Sequence, residues 1–136
     1  MTSTKRLLVV ANRTVDSNEL FAELARRAKT DAIAVTLLVP QDIYGGQGRR
    51  LNAALTHLHE AGIPAEGMLG DTDPLIAVQD AWSASRFDEI VLSTLPSGVS
   101  RWLGLDLPRR VARITGATVS HVVATEAELA VPAPVG

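Results

Sequence analysis

The sequence predicts a single α/β domain: a doubly wound, five-stranded parallel sheet with helices on both faces. Three observations carry this. Apolar runs alternate with helix-patterned segments along most of the chain. The runs are near-continuous rather than alternating, as strands buried on both faces require. The segments between them are long enough for the crossovers that parallel strands need.

Each element follows from its residues. Arg6–Asn12 (RLLVVAN) is a leucine- and valine-rich run that reads as a buried strand. Asp16 or Ser17 can cap the next segment, in which Leu20, Phe21, Leu24 and Ala28 recur at helical spacing. Ala32–Pro40 (AIAVTLLVP) reads as a second buried strand, stopped by Pro40. After the loop QDIYGGQGRR, the segment RLNAALTHLHEAG sets Leu51, Ala54, Leu55 and Leu58 on one helical face, and Gly62 ends it. Ile63–Gly70 is a weaker strand, expected near an edge because Pro64 and Gly67 weaken a ladder. Asp73 as N-cap and Pro74 as first helical residue start the third helix. Asp88–Thr94 (DEIVLST) is the fourth strand. DLPRRVARITG supplies a helix capped by the Asp106 carboxylate and ended by Gly116, and Ala117–Thr125 (ATVSHVVAT) the fifth strand. The domain spans 1–128, and the Pro-rich end, 129–136, is expected to be loose. No internal repeat and no second domain interrupts this order.

Composition narrows the function classes. Charged residues make up 21% and hydrophobic ones 46% of the 136 residues, which suits one globular domain rather than a disordered chain. The net charge of −2 leaves no basic stripe, and 4% aromatic residues are too few for a base-stacking platform, so nucleic acid is not an expected partner. The absence of cysteine excludes disulfides, thiol catalysis and thiolate metal sites. The apolar run Leu7–Ala11 is too short for a signal region or a membrane span, so a cytoplasmic location and no membrane partner are expected.

Ligands of doubly wound sheets sit beyond the carboxyl ends of the strands, where the strand order reverses. With the first strand central, that point falls between strands one and four, and Asn12–Thr14 and Ser93–Arg101 would line one crevice. The stretch LSTLPSGVSRWLGLDLPRR, Leu92–Arg110, has the composition of an anion loop. Ser93, Thr94, Ser97 and Ser100 offer hydroxyls, Gly98 offers backbone freedom, and Arg101 can hold an anion in a fork. Asn12 can bond a base or ribose edge, and Arg13 can steer an anion. These eight residues are the candidate ligand-binding set. The same residues also suit a purely structural loop, with Asp106 capping a helix and the hydroxyls stabilising a tight turn around Pro96.

VVANRTVDSNEL, AGIPAEGMLGDTDPLIAV and FDEIVLSTLPSGVSRWLGLDLPRRVARITGATVSHVV together resemble the universal stress protein family, in the superfamily of adenine-nucleotide-binding α/β folds. The resemblance covers roughly 5–125 and implies the strand order 3-2-1-4-5. Nucleotide-binding members carry a Gly, two residues, a second Gly, about nine residues, then Gly followed by Ser or Thr; the backbone amides so exposed receive phosphate. Laid on without gaps, those positions are Ser93, Pro96, Asp106 and Leu107, so the ATP motif is degenerate here. Asn12 stands where the family often has Asp. The family also pairs its last strand across a dyad, which implies a homodimer through Thr118–Thr125.

The remaining signals read as structural. Capping explains Asp73 better than magnesium binding with Asp71 does. His57 and His59 point to different faces, and His121 has no carboxylate near it in sequence, so all three are expected as core or edge residues rather than ligands. Trp102 and Trp82 are expected to anchor loops to the core. The glycines and arginines of YGGQGRR suit either a flexible loop or a second anion nest. No catalytic or metal residues are assigned. The expected function is a non-catalytic, stress-related binding or regulatory domain whose crevice takes an adenine nucleotide or another small anion. Two alternatives stand beside it: a nucleotide-hydrolysing or adenylate-transferring enzyme of the same superfamily, and a protein-binding regulator with no ligand.

Overall fold

The computed structural model describes residues 3–42, 45–96 and 98–124. The expected loose end at 129–136, and Ser97 and Thr125, lie outside them. Along the chain run β1 (Lys5–Val10), α1 (Asn18–Thr30), β2 (Ile33–Pro40), α2 (Gln47–Glu60), β3 (Ala65–Gly70), α3 (Pro74–Ala81), β4 (Glu89–Thr94), α4 (Arg101–Gly104), α5 (Leu107–Thr115) and β5 (Val119–Val123). The strands form one parallel sheet in the order β3-β2-β1-β4-β5, with β1 at its centre.

The unbroken apolar runs have a direct cause. Successive side chains of a strand point to opposite faces, and here both faces are covered. Leu7 and Val9 of β1 face a core closed by Leu20 and Leu24 of α1 and by Leu51, Ala54 and Leu58 of α2. Leu8 and Val10 face a second core, closed by Ala77, Val78 and Ala81 of α3 and by Leu107 and Val111 of α5. All four β1 residues are fully buried.

Start and stop signals act mostly as expected. Ser17, rather than Asp16, caps α1, its Oγ accepting from Leu20 N at 3.2 Å. Asp73 caps α3, Oδ1 accepting from Leu75 N at 2.9 Å, and Pro74 follows as first residue. β3 is an edge strand, as expected. Its glycines have a further role there: a Cβ on Gly70 would lie 2.9 Å from both Ala77 Cβ and Leu38 Cδ1, and one on Gly67 would lie 2.7 Å from Leu51 Cδ1. Both glycines let a helix approach the edge strand closely.

Four expectations need correction. Helix α2 begins before Arg50, at Gln47, because Gly46 adopts φ 86° and turns the chain into the helix ahead of the arginines. β5 is shorter than Ala117–Thr125, since Ala117 N donates to Thr115 Oγ1 at 3.1 Å in the turn that leaves α5. Helix α4 was not foreseen. Asp106 stands at the start of α5 but makes no capping bond with its side chain. Its backbone is left-handed, φ 56° and ψ 39°, which aspartate tolerates better than most residues. The carboxylate turns outward, 3.7 Å from Arg109 Nε.

The amino ends of β1 and β4 carry a charge network. The Glu89 carboxylate accepts from Arg27 Nη1 at 2.9 Å and from Ser120 Oγ at 2.6 Å, with Lys5 Nζ at 3.7 Å. Burial raises the Glu89 carboxyl, but the bonds from Ser120 and Arg27 and the charges of Arg27 and Lys5 outweigh it and hold it below its ordinary value. Beside it, Arg6 grips Asp88 through its backbone N–H at 2.8 Å, Nε at 3.1 Å and Nη2 at 3.0 Å. The guanidinium and the backbone bond hold the Asp88 carboxyl down at about 2.

Candidate functional site

At the opposite end of the sheet, beyond the carboxyl ends of the strands, lies a crevice of ≈ 670 Å³. That volume falls within the range of small-molecule sites, about 300–1,000 Å³. Its position follows from topology: β1 turns off toward α1 on one face while β4 continues toward α4 and α5 on the other, so the two loops part and leave a gap between them.

Of the expected residues, Asn12, Arg13, Ser93, Thr94, Ser100 and Arg101 line this crevice. Gly98 does not; it lies in the turn beneath, at φ 93°. Ser97 lies outside the described residues. Thr14, also expected in the crevice, lines it, and further wall residues are Gln41 and Asp42 after β2, Thr72 and Pro74 before and at the start of α3, and Val99, Trp102 and Leu105. Val99 falls within the expected stretch Ser93–Arg101, whereas sequence reasoning did not assign Gln41, Asp42, Thr72, Pro74, Trp102 and Leu105 to the crevice. The carboxyl-end rule applied to β2 and β3 as well as to β1 and β4 points to Gln41, Asp42 and Thr72.

Much of the polar lining is bonded to the protein itself. Asn12 Nδ2 donates to Pro40 O at 2.9 Å and ties β1 to β2. Thr14 Oγ1 and Ser93 Oγ lie 2.6 Å apart, buried at 2% and 1% exposure. One hydroxyl hydrogen closes that contact, so the pair keeps a second one to offer. Thr94 Oγ1 donates to Leu95 O at 2.8 Å and lies 2.7 Å from His121 Nε2, which therefore acts as the donor. Partial burial of its ring edge against Thr94 lowers the His121 pKa, favouring its neutral form.

The loop after β4 is closed by amides. Val99 N and Ser100 N both donate to Pro96 O at 3.0 Å, and Ser100 Oγ caps α4 by accepting from Leu103 N at 3.2 Å. The tight turn around Pro96 is thus real, but the backbone builds it, and the described hydroxyls bond elsewhere. Trp102 packs against the core as expected while also lining the crevice, and Trp82 packs there too, 6.1 Å from the Phe87 ring.

The exposed guanidinium groups of Arg13 and Arg101 differ from this bonded lining. Neither bonds to another side chain or to a carbonyl among the described residues, and both border the crevice. Arg50, in the first turn of α2, braces the same rim, its Nη1 donating to Arg13 O at 3.3 Å.

No histidine lines the crevice itself, although His121 bonds to the lining residue Thr94. His121 is exposed on the edge strand β5, as expected. His57 and His59 are exposed on α2 rather than in a core or at an edge: helical spacing puts them beside the buried stripe. His57 stacks on Phe21 at 3.8 Å, and His59 Nε2 lies 2.8 Å from Ala65 O. Among the described residues, no helix is long and apolar enough to cross a membrane.

No protein-family model matches the chain, and comparison with curated proteins finds no match. Solved structures do match it. A universal stress protein of M. smegmatis in complex with cAMP superposes with a TM-score of 0.61 at 18% identity, over 90% of this chain and 99% of that one. A universal stress protein from Archaeoglobus fulgidus superposes with a TM-score of 0.62 at 16% identity, over 90% of this chain and 95% of that one. The fold is that of universal stress proteins.

Proposed function

We propose that this domain is a non-catalytic binding and regulatory module whose crevice between β1 and β4 takes an adenine nucleotide or a chemically similar small anion. The observation that carries the reading is the pair of guanidinium groups, Arg13 and Arg101, bordering a crevice of ≈ 670 Å³ at the switch point of the sheet. Exposed guanidinium groups without partners among the described residues are ready to pair with an anion, and Arg101 carries the planar fork that suits a phosphate. A structural neighbour bound to cAMP lends support, because the two chains share a fold. The absence of turnover rests on the lining: Ser93 Oγ is held against Thr14, and Ser100 Oγ accepts at the start of α4. Thr94 donates to Leu95 O, so that its neighbour His121 Nε2 acts as a donor rather than as a base.

We further propose that the domain pairs with a second copy through β5, whose outer edge no described strand covers and whose Val123 is 43% exposed. Light scattering would report a dimer for the native chain and a monomer for Val123→Lys. A native monomer at the concentration of the titration below would remove this part.

Calorimetric titration with cAMP, AMP and ATP, followed by product analysis, tests the central reading. Saturable binding of at least one nucleotide without product is expected. Arg101→Ala should weaken it by roughly 10- to 100-fold, the worth of a hydrogen bond to a charged group. Release of product would establish the enzyme alternative. Silence with all three nucleotides would overturn the reading in favour of a protein-binding regulator.

A further inference from the structure

We propose that the crevice selects ligands with one anionic group, a phosphate monoester or a cyclic phosphodiester, over ligands with a polyphosphate chain. This rests on the nucleotide-binding reading above and narrows its ligand class.

Polyphosphate is commonly held by a run of free backbone N–H groups backed by a helix start. The loop after β4 has spent part of that run on itself, so that no continuous line of free amides is left. Val99 N and Ser100 N go to Pro96 O, Leu103 N to Ser100 Oγ, Gly104 N to Ser100 O at 3.3 Å, and Asp106 N to Leu103 O at 3.1 Å. The other helix start at the crevice, that of α3, is closed as well. Pro74 has no N–H, Leu75 N goes to the Asp73 carboxylate, and Asp73 N goes to Asp71 Oδ1 at 2.8 Å.

The charges are divided to match. Arg13 and Arg101 stand on the β1 and β4 side. On the β2 and β3 side Asp42 lines the crevice, and Asp71 and Asp73 flank its wall residue Thr72. One anionic group can rest against the two guanidinium groups and take the spare hydroxyl hydrogen of the Thr14–Ser93 pair. Each added phosphate brings negative charge, and among the described residues no second pair of guanidinium groups lines the crevice to receive it. Where the chain extends across the crevice, it meets carboxylates. The arrangement therefore favours one charged group and penalises more.

Calorimetric titration of the full chain with AMP, cAMP, ADP and ATP, at constant ionic strength and with EDTA present, decides the matter. AMP or cAMP should bind at least tenfold more tightly than ATP, with ADP between. Asp42→Asn combined with Asp73→Asn should narrow that ratio several-fold by strengthening ATP binding; asparagine caps a helix as well as aspartate does, so α3 keeps its start. ATP binding as tight as AMP binding would overturn the selectivity while leaving the nucleotide site standing. An unchanged ratio in the double variant would also overturn it. Failure of all four nucleotides to bind would overturn both the selectivity and the reading beneath it.

Discussion

Replacing Arg27 by methionine tests what the charge network at the amino ends of the strands contributes. Arg27 bridges Glu23, at 2.7 Å, and Glu89, at 2.9 Å, and the side chains of Arg27 and Glu89 are only 15% and 9% exposed. Methionine fills much of the same space and leaves the Glu89 carboxylate without its nearest positive charge. Breaking a buried pair by removing one partner costs about 3–5 kcal/mol. Ser120 and Lys5 still serve Glu89, and Glu23 keeps Arg26, so the low end, about 3 kcal/mol, is expected. For a domain of this size that lowers Tm by roughly 12 °C. Adding Glu89→Leu to Arg27→Met removes the stranded charge and should recover most of the loss, to within about 1 kcal/mol of the native chain.

The pH dependence separates this account from simple loss of packing. In the native chain the folded Glu89 pKa is depressed, so its contribution is present above the ordinary value of 4.5 and is lost as pH falls through the lower folded value. In Arg27→Met, burial dominates and the folded pKa is raised. That variant should regain stability relative to the native chain as pH falls through the raised value and Glu89 takes a proton. Urea unfolding of the native chain, both single variants and the double variant, at neutral and acid pH, supplies the full cycle. A loss below about 1 kcal/mol for Arg27→Met, or single losses that merely add in the double variant, would refute the reasoning.

Three other outcomes are expected. Ser93→Ala should cost about 1–3 kcal/mol in chemical denaturation because it strands the Thr14 hydroxyl, whereas adding Thr14→Val should recover much of that cost. Gly70→Ala should cost about 1–3 kcal/mol, since Ala77 Cβ has no rotamer to move into. Gly67→Ala should cost less in the same chemical denaturation, because the end of the Leu51 side chain can turn away. The Asp88 carboxyl should titrate by NMR at about 2, and Arg6→Met should return it toward 3.8; the stability it adds is present above 3.8 and is lost as pH falls toward 2.

The strands were legible because burial on both faces leaves a signal that little else imitates. Leu7 to Val10 must all be apolar when Leu7 and Val9 serve one core and Leu8 and Val10 the other. Asp73 and Pro74 were legible because capping is decided within a few residues. Asp106 and Pro108 make much the same local signal and misled. Whether Asp106 caps depends on its backbone angle, set by how α4 and α5 meet, and the four residues of α4 are too few to show a period. Gly67 was read as weakening the β3 ladder; that it and Gly70 admit Leu51 and Ala77 is visible only once α2 and α3 are packed.

The crevice shows the same division between local and assembled information. Its address followed from strand order, since a central β1 beside β4 brings Asn12 and Arg13 to Ser93 and Arg101. Its chemistry did not follow from residue type. Four candidate side chains, Asn12, Ser93, Thr94 and Ser100, are committed to protein bonds, while the guanidinium groups of the two arginines are not bonded to other described residues. A hydroxyl in a sequence looks the same whether it caps α4 or faces a ligand, and only the geometry of its partner distinguishes the two. The lost glycine spacing therefore does not by itself decide against an anion. It shifts the burden from backbone amides to guanidinium groups. Guanidinium groups hold one phosphate well without supplying the continuous line of donors that a phosphate chain needs.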